Sequence, residues 1–144
     1  MASGQTNIWL GTTDTDYGTA TNWSLGTVPV EGEDVVIPAE ATRAIAASDQ
    51  SAVPLVSFII EDGYGEDIGD ADSFLQVSIT DDAPAATKVD LAPTGTIVSL
   101  DLGDTAVPIT IRNSGTPAAG EHALQIKGAA MTTINVYKGI VGIG

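Results

Sequence analysis

The sequence predicts an all-β chain of parallel β-helix or solenoid-like coils preceded by a β-rich N-terminal module, and three observations support that expectation. Composition is the first. Lys, Arg, Asp and Glu make up only 17% of the 144 residues, against about a quarter in a typical soluble protein. Thr, Ser, Gly, Val and Ile replace them, and these suit pleated strands and tight turns better than helices. Periodicity is the second: no apolar i, i+3, i+4, i+7 pattern lasts three turns, whereas short alternating segments recur. Spacing is the third. "LQVSI" from Leu75, "LDL" from Leu100 and "LQI" from Leu124 are 25 and 24 residues apart, and "ITIRNSG" from Ile109 precedes "INVYKG" from Ile134 by 25. Steps of this length are what a solenoid makes, each coil stacking its inward side chains on the next. A β-sandwich or jelly roll would give a similar strand list and is the alternative architecture.

Taken in order, residues 1–50 form the N-terminal module and residues 51–144 the coils of about 24–25 residues. In the module, Trp9 and Trp23 are two large side chains, each with an N–H seeking an acceptor, and they are expected to pin the polar loop between them to a core. "TVPVEGEDVVIP" then supplies a Pro turn, a Gly loop and a strand over Val35 to Ile37. "AEATRAIAASDQSA" from Ala39 is broken by Ser and Asp and holds at most one short helical turn. Further strands are expected at Leu55 to Ile60, Leu75 to Ile79, Val89 to Leu91, Ile97 to Leu102, Ile109 to Ile111, Leu124 to Ile126 and Ile134 to Val136. "FIIEDG" from Phe58 and "VDLAPTG" from Val89 share the shape of the Ile109 and Ile134 segments. "INVYKGIVGIG" ends on alternating apolar residues, an open β edge expected to be met by further coils or by a neighbouring subunit.

Nineteen acids against five bases give a formal charge of −14, which disfavours phosphate backbones and anionic lipid alike, so neither nucleic acid nor membrane is expected as a partner. The charge is regional: 13 of the acids lie between Asp14 and Asp72, where Arg43 is the sole base. With no cysteine, neither a disulfide nor a thiolate metal site can hold the fold. "MASGQTNIW" lacks the features of a secretory leader, and no apolar run approaches the ~20 residues a membrane span needs.

The order of Trp9, "ATNWS", "G-x-V-P" and "G-x-D-V-V-I-P" resembles an N-terminal module found in bacterial surface proteins with β-helical passengers and in bacteriophage virion structural proteins. "HALQIKGAAMTTINVYKGIVGIG" is similar to coils that follow the module in the phage proteins. The resemblance covers Asn7 to Pro38 and Ala123 to Gly142, and its motifs are structural. It implies a non-enzymatic virion protein of the capsid decoration or head-fibre kind, on the capsid exterior, docked on the major capsid protein or another virion protein and assembled as a homo-oligomer, most simply a trimer. The chain stops where longer members continue. The residues expected at the contacts are Ile8, Trp9, Tyr17 and Trp23 at the front and Ile140, Val141 and Ile143 at the back.

Signals for chemistry are sparse. His122 stands beside Glu121 without a discernible nucleophile or ligand set. "EDGYGEDIGDAD" places six carboxylates in residues 61–72, and Asp67, Asp70 and Asp72 are the calcium candidates, although their spacing departs from the D-x-[DN]-x-[DN]-G loop. Asp14 and Asp16 form a weaker pair. Otherwise no cofactor is expected. The competing function is a carbohydrate-binding or carbohydrate-cleaving tail-spike or surface β-helix, which requires an exposed Trp or Tyr beside two carboxylates.

Overall fold

The computed structural model describes residues 5–70, 73–79, 89–94, 97–103, 108–111, 124–127, 133–136 and 141–143. Eleven strands are present: β1 (Thr6–Ile8), β2 (Asp34–Ile37), β3 (Asp49–Leu55), β4 (Ser57–Ile60), β5 (Leu75–Ile79), β6 (Val89–Leu91), β7 (Val98–Asp101), β8 (Pro108–Ile111), β9 (Leu124–Lys127), β10 (Thr133–Val136) and β11 (Val141–Ile143). A 3-10 turn at Ala20–Asn22 is the one helical element among the described residues.

From β2 onward the strands alternate between two parallel sheets. The first has the order β1-β2-β4-β6-β8-β10 and the second β11-β9-β7-β5-β3. Every ladder between named strands is parallel, so the chain is a β-solenoid, with one strand of each coil on each sheet.

Register explains the sequence pattern. In the first sheet Asn7, Val35, Phe58, Val89, Ile109 and Ile134 occupy one row, which unites the segments that looked alike in sequence. Ile37, Ile60, Leu91, Ile111 and Val136 form a parallel row two residues on. In the second sheet Leu75 stands opposite Leu100, at the predicted step, but Leu124 pairs with Val98 and Leu100 with Ile126. An offset of two residues preserves the alternation of strand faces, which has period two, and Ile126 is buried opposite Leu100. A shorter corner ladder links Ile45, Ile68 and Val98.

The core lies between the sheets, where Val35, Ile37, Phe58, Ile60, Val89, Leu91, Ile111, Leu55, Leu75, Val77, Ile79, Val98, Leu100 and Ile126 belong to one buried cluster. Two expectations need correction. The segment from Leu55 to Ile60 is two strands, because the chain turns the corner at Val56 and crosses from one sheet to the other. β3 reaches back to Asp49, where alternation gave no signal: its first six residues are exposed or half-buried, and Pro54 is tolerated on this edge strand. β3 also carries a bulge, since Asp49 pairs with Gln76 but Pro54 with Ser78. The junction expected near residue 50 falls inside β3, and β2 before it pairs with β4 after it, so module and coils share one sheet.

Phe58 is fully buried and its neighbour Ile59 points outward. Phe58→Ala is expected to cost about 3–5 kcal/mol and Ile59→Ala about 1 kcal/mol or less. Urea unfolding followed by circular dichroism measures both, and equal costs would contradict the inward and outward assignment.

Candidate functional site: the aromatic cap and the outer face of the first sheet

Residues 9–33 cover the front of the solenoid. Trp9 and Trp23 form an antiparallel bridge, with Ser24 N–H donating to the Ile8 carbonyl and the Ile8 N–H to Ser24 Oγ, both at 2.9 Å. The free edge of β1 is thereby covered. Inside the cap the Trp9 and Trp23 rings meet edge to face at 5.2 Å, and Tyr17 meets Trp23 at 4.7 Å, favourable aromatic geometry. Their polar atoms are satisfied internally: the Trp23 indole donates to the Tyr17 carbonyl, and both the Trp9 indole and the Tyr64 hydroxyl donate to the Arg43 carbonyl. Burial first, and Glu33 second, push the Tyr17 phenol well above its ordinary range.

Asn22 organises the loop. Its side-chain oxygen accepts from the N–H groups of Thr13 and Asp14, and its amide donates to Asp14 Oδ1 and the Asp16 carbonyl. The side chain is fully buried, so this saturation is what makes its burial tolerable. Asp14 also accepts from the Asp16 N–H and the Thr19 hydroxyl, and Asp16 accepts from the Gly18 N–H. The Asp16 N–H and the Asn22 amide, in that order, hold the Asp14 carboxyl below its usual 3.8. These two acids thus act as turn-forming groups. A second buried network joins Asn7 to Glu33 at 3.2 Å and Glu33 to the Val30 N–H at 3.1 Å.

The expected contact residues therefore divide. Trp9, Tyr17 and Trp23 are 0%, 1% and 2% exposed; their rings are spent on the chain's own core and present no surface to a partner. Ile8 is half-buried on the outer face of β1. Val141 and Ile143 lie on β11, while Ile140 falls outside the described residues, as do Asp72 and His122. Asp67 Oδ1 accepts from the Ile97 N–H across a coil, and the Asp70 carbonyl accepts from Ser99 Oγ. Among the described residues, no three His, Cys, Asp or Glu side chains gather to hold a metal ion.

One arrangement went unread in the sequence. The outward row of the first sheet runs Ile8, Val36, Ile59, Asp90, Thr110. Its first three members are aliphatic and half-buried, side by side on strands about 4.8 Å apart. Leu10, two residues past Ile8 with buried Trp9 between, is 45% exposed. Carboxylates stand around this stripe: Asp34 precedes Val36 by two residues, Glu61 follows Ile59 by two, and Asp90 is next in the row. The only sequence signal was the "VVI" and "FII" runs, apolar on both faces where alternation would put a polar residue outside.

The second sheet differs. A groove of about 260 Å³ there is lined by Ser51, Gln76, Val77, Ser78, Asp101 and Gly103, without an aromatic ring. Comparisons with protein-family models, with curated proteins and with solved structures found no match.

Two tests address the cap. Gly11 and Gly26 both have positive φ, but a Cβ on Gly11 would lie 2.7 Å from the Arg43 Cβ, while one on Gly26 would meet nothing within 4 Å. Gly26→Ala is expected to cost about 1 kcal/mol for the left-handed backbone alone, and Gly11→Ala clearly more, read from chemical denaturation. Because the folded Asp14 is the stronger acid, its stabilisation is complete above its ordinary value of 3.8 and is lost as pH falls through the lower folded value. Asp14→Asn should accordingly flatten the fall in melting temperature below about pH 4, measured by thermal scans across the acid range.

Proposed function

We propose that this chain is a non-enzymatic structural protein of a virion exterior, decorating or stabilising a phage capsid or forming the base of a head fibre. The observation that supports this reading most directly is the fate of the aromatics. A sugar-handling surface uses exposed rings beside carboxylates, whereas Trp9, Tyr17, Trp23 and Tyr64 are all sealed inside and serve to lock a cap. A self-saturated front with a partly apolar outer face suits a protein that acts by adhering. The acidic remainder would keep closely spaced copies from associating through their exposed faces. The resemblance of the opening module to phage structural proteins points the same way, and a trimer about a threefold axis is the assembly it suggests.

Counting copies per major capsid subunit in purified particles, by quantitative mass spectrometry, tests the proposal. Decoration predicts a stoichiometry in the tens to hundreds per particle. A handful of copies would instead favour the tail-spike reading, and absence from particles would reject a virion role.

A further inference from the structure

We infer that the apolar stripe of Ile8, Leu10, Val36 and Ile59 on the outer face of the first sheet is the docking surface, and that its partner is a protein offering an apolar ridge flanked by lysine or arginine. The inference rests on the structural reading above and adds the face and the chemistry of what meets it. Three observations carry it. The row Ile8, Val36, Ile59 is continuous across three neighbouring strands and changes abruptly to Asp90 and Thr110, so on this sheet the apolar stretch is bounded, while the exposed Leu25 and Val30 lie off the sheet in the cap. The backbone beside it is already occupied: Leu10 N–H donates to the Asn22 carbonyl, Ser24 N–H to Ile8, Ile8 N–H to Ser24 Oγ and Glu61 N–H to Ile37. Contact must therefore come through side chains, not through an added strand. The boundary is anionic, with Asp34, Glu61 and Asp90 set around the stripe and Arg43 the one base among 13 acids over residues 14–72.

That boundary selects the partner. A second copy laid face to face would bring one set of carboxylates against another, and like charges across an interface oppose association. Anionic lipid is opposed for the same reason. A partner with cationic flanks gains from the rim and buries the stripe, with the rim setting orientation and encounter rate and the aliphatics supplying the desolvated centre.

Full-length chain is titrated with three synthetic peptides, one alternating Leu and Lys, one alternating Leu and Glu and one alternating Ser and Lys, by isothermal calorimetry. The Leu-Lys peptide is expected to bind at least about tenfold more tightly than either control. The Leu10→Thr, Val36→Thr, Ile59→Thr variant should lose that advantage while retaining wild-type circular dichroism and tryptophan emission. Glu61→Gln with Asp90→Asn, which leaves the stripe intact, should weaken binding and reduce its salt dependence. Equal binding of Ser-Lys or Leu-Glu, an unchanged triple variant, a salt dependence undiminished in the charge variant, or concentration-dependent dimerisation lost in the triple variant would each overturn the inference. If the triple variant still enters particles at the wild-type copy number, docking uses another face and the structural reading stands. If wild-type chain is absent from particles, that reading fails whatever the peptides do.

Discussion

The inward stack of aliphatic side chains between the two parallel sheets is the constraint on which the rest of the structure depends. Each coil contributes side chains such as Val35 and Ile37, Phe58 and Ile60, or Val89 and Leu91 to rows that continue on its neighbours. No coil can hide these alone, because a single turn of chain leaves its core open above and below. Stacking closes both sides. It also fixes the register, since a slip of one residue would turn every buried side chain outward.

A stack of this kind creates an end problem, which the cap solves at the front. β1 adds one more rung to the first sheet, and the chain then folds back through Trp23 and Ser24 to occupy its outer edge. In the row otherwise filled by Val35, Phe58 and Val89, the cap places Asn7. This polar residue is tolerated because it bonds Glu33 and the Thr27 carbonyl and accepts from the Leu25 N–H. The acidic residues beneath do related work: Asp67 and Glu61 accept backbone N–H groups from Ile97 and Ala39, binding one coil to the next at the corners.

Much of this was legible in the sequence because the core is repetitive. Alternating Leu, Val and Ile segments gave both strands and spacing, and the steps from Leu75 to Leu100 and from Ile109 to Ile134 are true ladder steps. β3 was hidden because an exposed edge strand carries no apolar period. The docking face was hidden for the opposite reason: in "VVI" and "FII" both faces are apolar, and only register shows that Ile8, Val36 and Ile59 stand abreast. The aromatics misled as contact residues because size and hydrophobicity are what a core and an interface have in common. Hydrogen-bond bookkeeping separates the two, and it needs coordinates: the indole donors of Trp9 and Trp23 end on carbonyls of their own chain.

The shared acceptor at the Arg43 carbonyl reaches further than local geometry. Trp9 belongs to the cap and Tyr64 to the segment after β4, yet both donate to this one oxygen. Stacked-coil proteins ordinarily fray from their ends, one unit at a time, because each unit touches only its neighbours. Here the lid and a phenol from a later coil hold the same carbonyl. Cap and second coil thus share one anchor point, a tie between units that nearest-neighbour stacking alone would not supply.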